Sequence, residues 1–270
     1  MVADQVSHSQ QRFASGRVVI PSHKLKTLLH AGDADFQAKF ERRDDLSPAQ
    51  RRAILRLPVE RLQASAGETI VREERRQTSS LLLLSGYAGR VAFVGDGGRQ
   101  FTQIGLPGDF LDLHSLVMKR MENGVMAISD CELANIPHSA LRRLASRDPH
   151  LARMFWLETV VDAAIHRVWL VGMGRQDAQA RMAHLFCEIF TRLEPVGRTA
   201  EGSFDFPLNQ NDLADVLGLS SVHVNRTLMA LRAADLLDVR DGRAVIKDWD
   251  GLSRVAEFDP QYLRLWKEAV

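Results

Sequence analysis

Residues 220–231 place polar side chains on one face of a predicted helix and apolar side chains on the other. Val224, Leu228 and Leu231 recur at helical spacing and predict the buried face. The opposite face carries groups able to contact the edges of nucleotide bases: Ser221, Val222, Asn225 and Arg226. An arginine fork suits guanine, an asparagine amide suits adenine, and a valine can touch a thymine methyl group. This face therefore has the chemistry that base reading requires.

A first helix and a tight turn are predicted to orient this face. Asn209 can cap the first helix, Gly218 can end it at positive φ, and Ser220 can cap the second helix. Two helices joined in this way place the second one in a DNA major groove. Residues 236–239 and 244–246, separated by a turn at 240–243, predict a β-hairpin wing. The side chains expected at phosphates are Asn209, Gln210, Ser220, His223 and Arg243.

The local charge of this segment does not favour DNA. Residues 205–250 carry five basic and eight acidic side chains, a formal balance of −3, while the whole chain carries +1. Bulk attraction to phosphates is therefore weak, and the basic groups must gather on one face. We expect affinity to depend on specific contacts made by two subunits together.

Residues 148–175 predict a long dimerisation helix. About 25 residues at 1.5 Å each give a length near 40 Å, which extends beyond a small β-domain. Apolar side chains recur at spacings of three and four and predict a seam. The seam residues are Met154, Leu157, Val161, Ala164, Val168 and Val171. The alternative interpretation is a single helix packed on its own domain.

Short strands with glycine-rich corners are predicted between about residues 61 and 136. This pattern is typical of a double-stranded, jelly-roll-like β-roll. The predicted fold class is therefore α+β, with an N-terminal β-roll, a long dimerisation helix and a C-terminal winged helix-turn-helix. The predicted boundaries are a flexible extension at 1–35, a sensor roll at 36–147, the dimer helix at 148–175 and a DNA-binding domain at 176–270.

Composition and motifs exclude several other classes of protein. The 270 residues are 45% apolar and 26% charged, which is ordinary for a soluble globular protein. No apolar run is long enough to span a bilayer and the N-terminus lacks the apolar core of a signal peptide, so the sequence predicts no membrane partner and a cytoplasmic location. The two cysteines form no Cys-x-x-Cys pair, and the nine histidines show no metal-ligand spacing, so no metal site is predicted. Phosphate-loop, serine-elbow and zinc-protease motifs are absent from the sequence, and we expect no enzyme.

The order of parts resembles the Crp/Fnr family of bacterial transcription regulators. The specific marks are residues 67–71 (Gly-Glu-Thr-Ile-Val), residues 106–110 (Leu-Pro-Gly-Asp-Phe) and the helix-turn-helix with Arg226. The resemblance implies a cyclic-nucleotide-binding-like domain and a homodimer on an inverted-repeat operator. It also implies a signal that passes from the β-roll through the long helix to the recognition helix, contact with RNA polymerase, and no catalysis.

The effector of the family does not carry over by resemblance. Cyclic-nucleotide-binding members clamp the phosphate with an Arg-Ser or Arg-Thr pair, whereas Arg120 is followed by Met121 and Glu122, and a carboxylate repels a phosphate. His114 falls near the haem-binding histidine of carbon-monoxide sensors, but a lone histidine is more often structural. The residues of a possible effector pocket are Asp112, His114 and Arg120. The sequence thus argues against cyclic nucleotide and against haem, and it predicts no cofactor. The alternative function is a cyclic-nucleotide- or haem-responsive sensor module that acts mainly on a protein partner.

Overall fold

The computed structural model describes residues 31–95, 97–118, 120–265 and 267. Most of the predicted flexible extension, residues 1–30, lies outside the described residues. Helix α1 (Ala31–Arg43) begins within the last residues of the predicted extension. Residues 31–35 of the predicted extension are therefore helical. Helix α2 (Pro48–Leu55) begins with a capping box in which Ser47 and Gln50 each accept the other's backbone N–H.

Seven strands form the predicted antiparallel β-roll. They are β1 (Glu60–Ala64), β2 (Thr69–Val71), β3 (Ser79–Ser85), β4 (Ala88–Phe93), β5 (Arg99–Gly105), β6 (Gly124–Ala127) and β7 (Cys131–Pro137). One sheet has the order β1-β7-β3 and the other β2-β6-β4-β5. Leu83, Ala88, Val125 and Leu133 are buried in the core of the roll. The N-terminal half is thus an antiparallel roll, as its alternating short runs predict.

Gly86 makes the sharp connection between β3 and β4 possible. Its φ of 84° lies in the left-handed region, and a Cβ placed there would lie 2.1 Å from the carbonyl oxygen of Asp130. No side chain fits at that distance. The glycine in the Ser85-Gly86 turn is therefore required for this close approach.

Helices α3 (His138–Arg147), α4 (Pro149–Arg175) and α5 (Ala178–Leu193) follow the roll. Helix α4 has 27 residues, close to the predicted 40 Å, and its first turn is capped by the Asp148 carboxylate. Its N-terminal half packs on α1 and on the outer face of the roll through an aromatic cluster that includes Phe40, Phe110 and Phe155. The long helix therefore begins as part of the roll.

The C-terminal domain contains a winged helix-turn-helix. Its elements are β8 (Thr199–Ala200), β9 (Ser203–Asp205), α6 (Gln210–Leu217), α7 (Ser221–Ala233), β10 (Leu237–Arg240), β11 (Arg243–Ile246) and α8 (Trp249–Ala256). The predicted hairpin β10–β11 is present and is extended by β9 and β8 into a four-stranded sheet. Phe186, Phe204, Leu213 and Leu231 are buried in the core of this domain.

The roll and the C-terminal domain share one continuous hydrophobic cluster. Tyr87, Phe101 and Ile104 of the roll belong to it together with the core of the C-terminal domain. The Tyr87 hydroxyl also donates to the carbonyl of Asp205 at 2.5 Å. The roll therefore holds the helix-turn-helix in a defined orientation. Within the described ranges, no helix is long and apolar enough to cross a membrane.

Candidate nucleic-acid interface and effector site

The two helices of the helix-turn-helix are capped as predicted. The Asn209 side chain accepts from the N–H groups of Asn211 and Asp212 at 2.8 and 3.0 Å. Gly218 ends α6 with a φ of 62°, and the Ser220 hydroxyl accepts from the N–H of His223 at 3.3 Å. These local bonds fix where α7 begins and therefore which of its side chains face outward.

The predicted base-reading side chains all lie on the exposed face of α7. Ser221, Val222, Asn225 and Arg226 are exposed. The opposite face is buried through Val224, Thr227 and Leu231, whereas Leu228, predicted to be buried, is half-buried. Met229 is 62% exposed on the same outward face. Sequence reasoning missed Met229 because an apolar residue in a helix suggests the core.

The ion pairs of this domain explain how an acidic segment can present a cation. Four of its five basic side chains pair with carboxylates within the segment: Arg232 and Arg240 with Asp238, Arg243 with Asp205, and Lys247 with Asp235. Arg99 of the roll pairs with Asp212 at 2.9 Å and Asp215 at 2.6 Å. Among the residues that the structure describes, Arg226 has no ion pair or hydrogen bond. Its guanidinium is therefore available to a ligand outside the chain.

The predicted phosphate contacts lie at three places around this face. Asn209 and Gln210 are exposed at the start of α6, and Ser220 is exposed and His223 half-buried at the start of α7. Backbone N–H groups at helix N-termini favour phosphate oxygens. Arg243 is exposed on the wing and also donates to the Ser203 hydroxyl at 3.1 Å. The placement is compatible with the predicted roles.

The predicted seam of α4 is only partly on a free surface. Met154 and Val161 are each 3% exposed and pack within the chain, Val161 against Leu263 and Leu265 of the C-terminal segment. Leu157, Ala164 and Val168 are half-buried, and Val171 is exposed. Both positions belong to the intramolecular side of α4 and are corrected: Met154 packs with the aromatic cluster against α1 and the roll, and the C-terminal segment covers Val161.

The free face of α4 is rotated by about 100°, the angle of one residue, from the predicted seam. Trp156 is 70%, Val160 45% and Leu170 71% exposed. Together with the exposed Ala163 and Arg167, they recur at spacings of four, three, four and three. This is an a/d pattern of its own. Because this pattern is offset by one residue from the predicted seam, helical periodicity alone could not tell the two faces apart.

The three predicted effector residues do not converge on one pocket. Asp112 is fully buried and accepts the N–H of Leu81 at 2.7 Å, and burial raises the pKa of its carboxyl to about 7. His114 lies 3.4 Å from an Arg90 nitrogen and 3.6 Å from a Glu122 oxygen. Burial, and then Arg90, lower the pKa of His114. Arg120 is exposed. The predicted pocket is therefore corrected, since only His114 lines a cavity.

That cavity, between the roll and α4, has a volume of about 40 Å³. Arg90 pairs with Asp162 of α4 and donates to the carbonyl of Leu111 at 2.9 Å, and Gln103 also bonds Asp162. Pockets that bury small ligands have volumes of roughly 300–1,000 Å³. A cyclic nucleotide or a haem does not fit the residues present, because the chain's own ion pairs fill the space.

A second buried ion network joins the cavity wall to the C-terminal domain. Asp109 accepts from Lys39 at 2.6 Å and from Arg192 of α5 at 2.5 Å, and Arg192 also donates to Glu188 at 2.9 Å. Burial opposes ionisation of Asp109, but Lys39 and Arg192 outweigh it and hold the pKa of Asp109 well below its usual range. Sequence reasoning missed this network, since its members come from α1, a roll turn and α5.

Two family models match the chain in the order of its domains. The cyclic nucleotide-binding domain model matches residues 61–148, and the Crp-like helix-turn-helix domain model matches residues 180–255. The matched ranges coincide with the β-roll and α3, and with the C-terminal domain.

Named relatives and a solved structure agree with these matches. A "probable transcriptional activator" of Rhizobium leguminosarum bv. viciae is 32% identical over 130 residues, 48% of this chain and 54% of that protein. The nitrogen fixation regulation protein FixK of Azorhizobium caulinodans is 25% identical over 237 residues, 87% of this chain and 90% of that protein. The structure of FixK2 from Bradyrhizobium japonicum superimposes with a TM-score of 0.67 at 23% identity, over 74% of this chain and 98% of that one.

A β-roll, a long helix and a winged helix-turn-helix with an exposed recognition face define a DNA-binding transcription regulator. The chain belongs to the Crp/Fnr family. Its sensor half has the family's cyclic-nucleotide-binding-like fold, and the Arg90–Asp162 ion pair lies in the cavity between this roll and α4.

Proposed function

We propose that this regulator binds an inverted-repeat operator as a homodimer, with one α7 in the major groove of each half-site. The observation that carries the proposal is Arg226, an exposed guanidinium without an ion pair among the described residues, on the outward face of a capped helix. Ser221, Val222 and Asn225 lie beside it and complete the base-reading face. The caps of α6 and α7, with Arg243 of the wing, would contact phosphates.

The exposed face of α4 supports the homodimer. Trp156, Val160 and Leu170 are large apolar side chains that the chain leaves exposed at a/d spacing. An open groove of about 1080 Å³ follows α4, and its wall contains Trp156 and Val160 as well as the six residues of the seam predicted from periodicity. A symmetric pair of these helices would bury both faces and would present two α7 helices related by a twofold axis. A twofold axis in the protein matches an inverted repeat in the DNA.

We further propose that the regulator works without a cyclic nucleotide or haem. The filled cavity beside His114 supports this, since a ligand of either class would have to displace the Arg90–Asp162 pair. Any signal from the roll would instead reach the C-terminal domain through the buried contacts of Asp109 and Arg192. The accessible Arg226 favours DNA over a protein partner as the main target.

We infer three further properties from the same proposal. The second partner is RNA polymerase, as the name "transcriptional activator" among the relatives suggests for them. The protein catalyses no reaction. It acts in the cytoplasm, where bacterial DNA lies.

The test is selection of bound DNA from a random pool by the purified full-length protein without added ligand. We expect an inverted repeat to be enriched. Arg226→Ala should cost about 1–3 kcal/mol per half-site on that operator and relax selection at one base position. Arg56→Ala removes the same charge from an exposed site after α2 and is the control. It should change neither the affinity for the operator nor the selection of any base. An unchanged selection by Arg226→Ala would contradict the proposed reading face.

A further inference from the structure

The centre of the outward face of α7 is apolar. Val222 is 73% and Met229 62% exposed. At 100° per residue these two side chains lie within about 20° of each other, and the buried Leu231 lies about 180° from Val222. Arg226 and Asn225 lie on either side of the line that joins Val222 and Met229. The side chains that project furthest from the domain core are therefore two hydrophobic ones.

Exposed apolar side chains on a binding face need an apolar surface to cover them. Val222 and Met229 carry no charge to neutralise a phosphate and no donor for a base edge. The apolar group that the major groove offers is the C5 methyl of thymine. Base pairs without this methyl would leave both side chains against polar base edges.

We propose that Val222 and Met229 read two thymine methyl groups, one on each side of the base pair contacted by Arg226. This inference rests on the proposed function, because it assumes that α7 enters the major groove. Met229 is thus a specificity-determining residue, in addition to the four predicted from the sequence.

The geometry of α7 sets the spacing of the two methyl groups. Met229 is seven residue steps after Val222, which is about 10.5 Å along the helix axis at 1.5 Å per residue. Base pairs rise 3.4 Å along the DNA axis, and a helix that lies in the major groove is inclined to that axis, so this distance spans about two to three base-pair steps. Each half-site should therefore contain two thymines about two to three base pairs apart, on either strand, with the Arg226 contact between them.

The experiment replaces thymine by deoxyuridine, one position at a time, in one half-site of the selected operator. Deoxyuridine pairs with adenine as thymine does and lacks only the methyl group. At two positions about two to three base pairs apart, we expect affinity to fall about fourfold each, the effect of one buried methyl-sized group. Val222→Ala should remove the dependence at one position and Met229→Ala at the other, while Val117→Ala, an 88% exposed site on the roll, should leave both unchanged.

The outcomes separate this inference from the proposed function. The inference is supported if Val222→Ala abolishes the effect of deoxyuridine at one position and Met229→Ala abolishes it at the other. Full affinity for deoxyuridine DNA, with the operator still selected, overturns it and leaves the proposed function intact. Failure to select any operator overturns both. Because both side chains are exposed and alanine favours helix, unchanged melting temperatures for the two variants will show that lost coupling is not lost folding.

Discussion

The rotated face of α4 makes a prediction that neighbouring residues can test. Val160→Glu and Val161→Glu place the same charge at adjacent positions of one helix. Val160 is 45% exposed, whereas Val161 is 3% exposed and packs against Leu263 and Leu265. If Val160 lies in the dimer interface, its substitution should give a folded monomer. Val161→Glu should instead destabilise the fold, because it buries an unpaired carboxylate within one chain.

The exposed fractions of Val160 and Leu170 determine how much dimerisation free energy the substitutions should remove. Complete burial of a valine or leucine side chain contributes about 1.5–3 kcal/mol. Scaled by the exposed fractions of Val160 and Leu170, 45% and 71%, and counted in both subunits, the double substitution Val160→Glu/Leu170→Glu removes about 3.5–7 kcal/mol of apolar burial. The dissociation constant of the dimer should rise about 300-fold to 10⁵-fold, before any repulsion between the new charges.

Light scattering over a concentration series measures the dimer, and urea unfolding measures the fold. We expect wild type to be dimeric and Val160→Glu/Leu170→Glu to be monomeric with a cooperative unfolding transition. Val161→Glu should lose about 3 kcal/mol or more of unfolding free energy. A dimer that survives the double substitution would refute the rotated seam. A well-folded monomer from Val161→Glu would restore the seam predicted from periodicity.

Three other predictions concern the roll and its contacts. Arg192→Met removes a buried cation from Asp109 and Glu188, and should lower the unfolding free energy by about 3–5 kcal/mol in urea titrations; a loss below about 1 kcal/mol would mean that the network adds little. Burial raises the pKa of Asp112 to about 7, so the folded protein favours the protonated carboxyl. Its contribution to the free energy of unfolding is fully present below about pH 4 and is lost as the pH rises through 7. Asp112→Asn should therefore gain stability relative to wild type between pH 5 and pH 8, and equal pH profiles would contradict the assignment. Cyclic AMP should not shift the melting temperature, whereas a dose-dependent rise would show that the cavity opens to bind it.

The helix-turn-helix was predictable from sequence because local chemistry determines it. Asn209, Gly218 and Ser220 act on backbone groups two to four residues away, so their roles can be read without knowing the rest of the fold. The strands of the roll were also predictable, since alternation and glycine corners are local patterns. The outward placement of Ser221, Val222, Asn225 and Arg226 followed from helical periodicity once the caps were assigned.

The tertiary structure alone decided which groups are free and which are paired. The sequence predicted an acidic DNA-binding segment but not that Arg99, more than a hundred residues away, would pair with Asp212 and Asp215. It predicted a long helix but not which face the C-terminal segment covers at Val161. Helix, strand and cap depend on neighbours in the chain, whereas burial and ion pairing depend on residues that only folding brings together. Sequence by itself therefore determined the elements, and their packing decided which surfaces are left for DNA and for a second subunit.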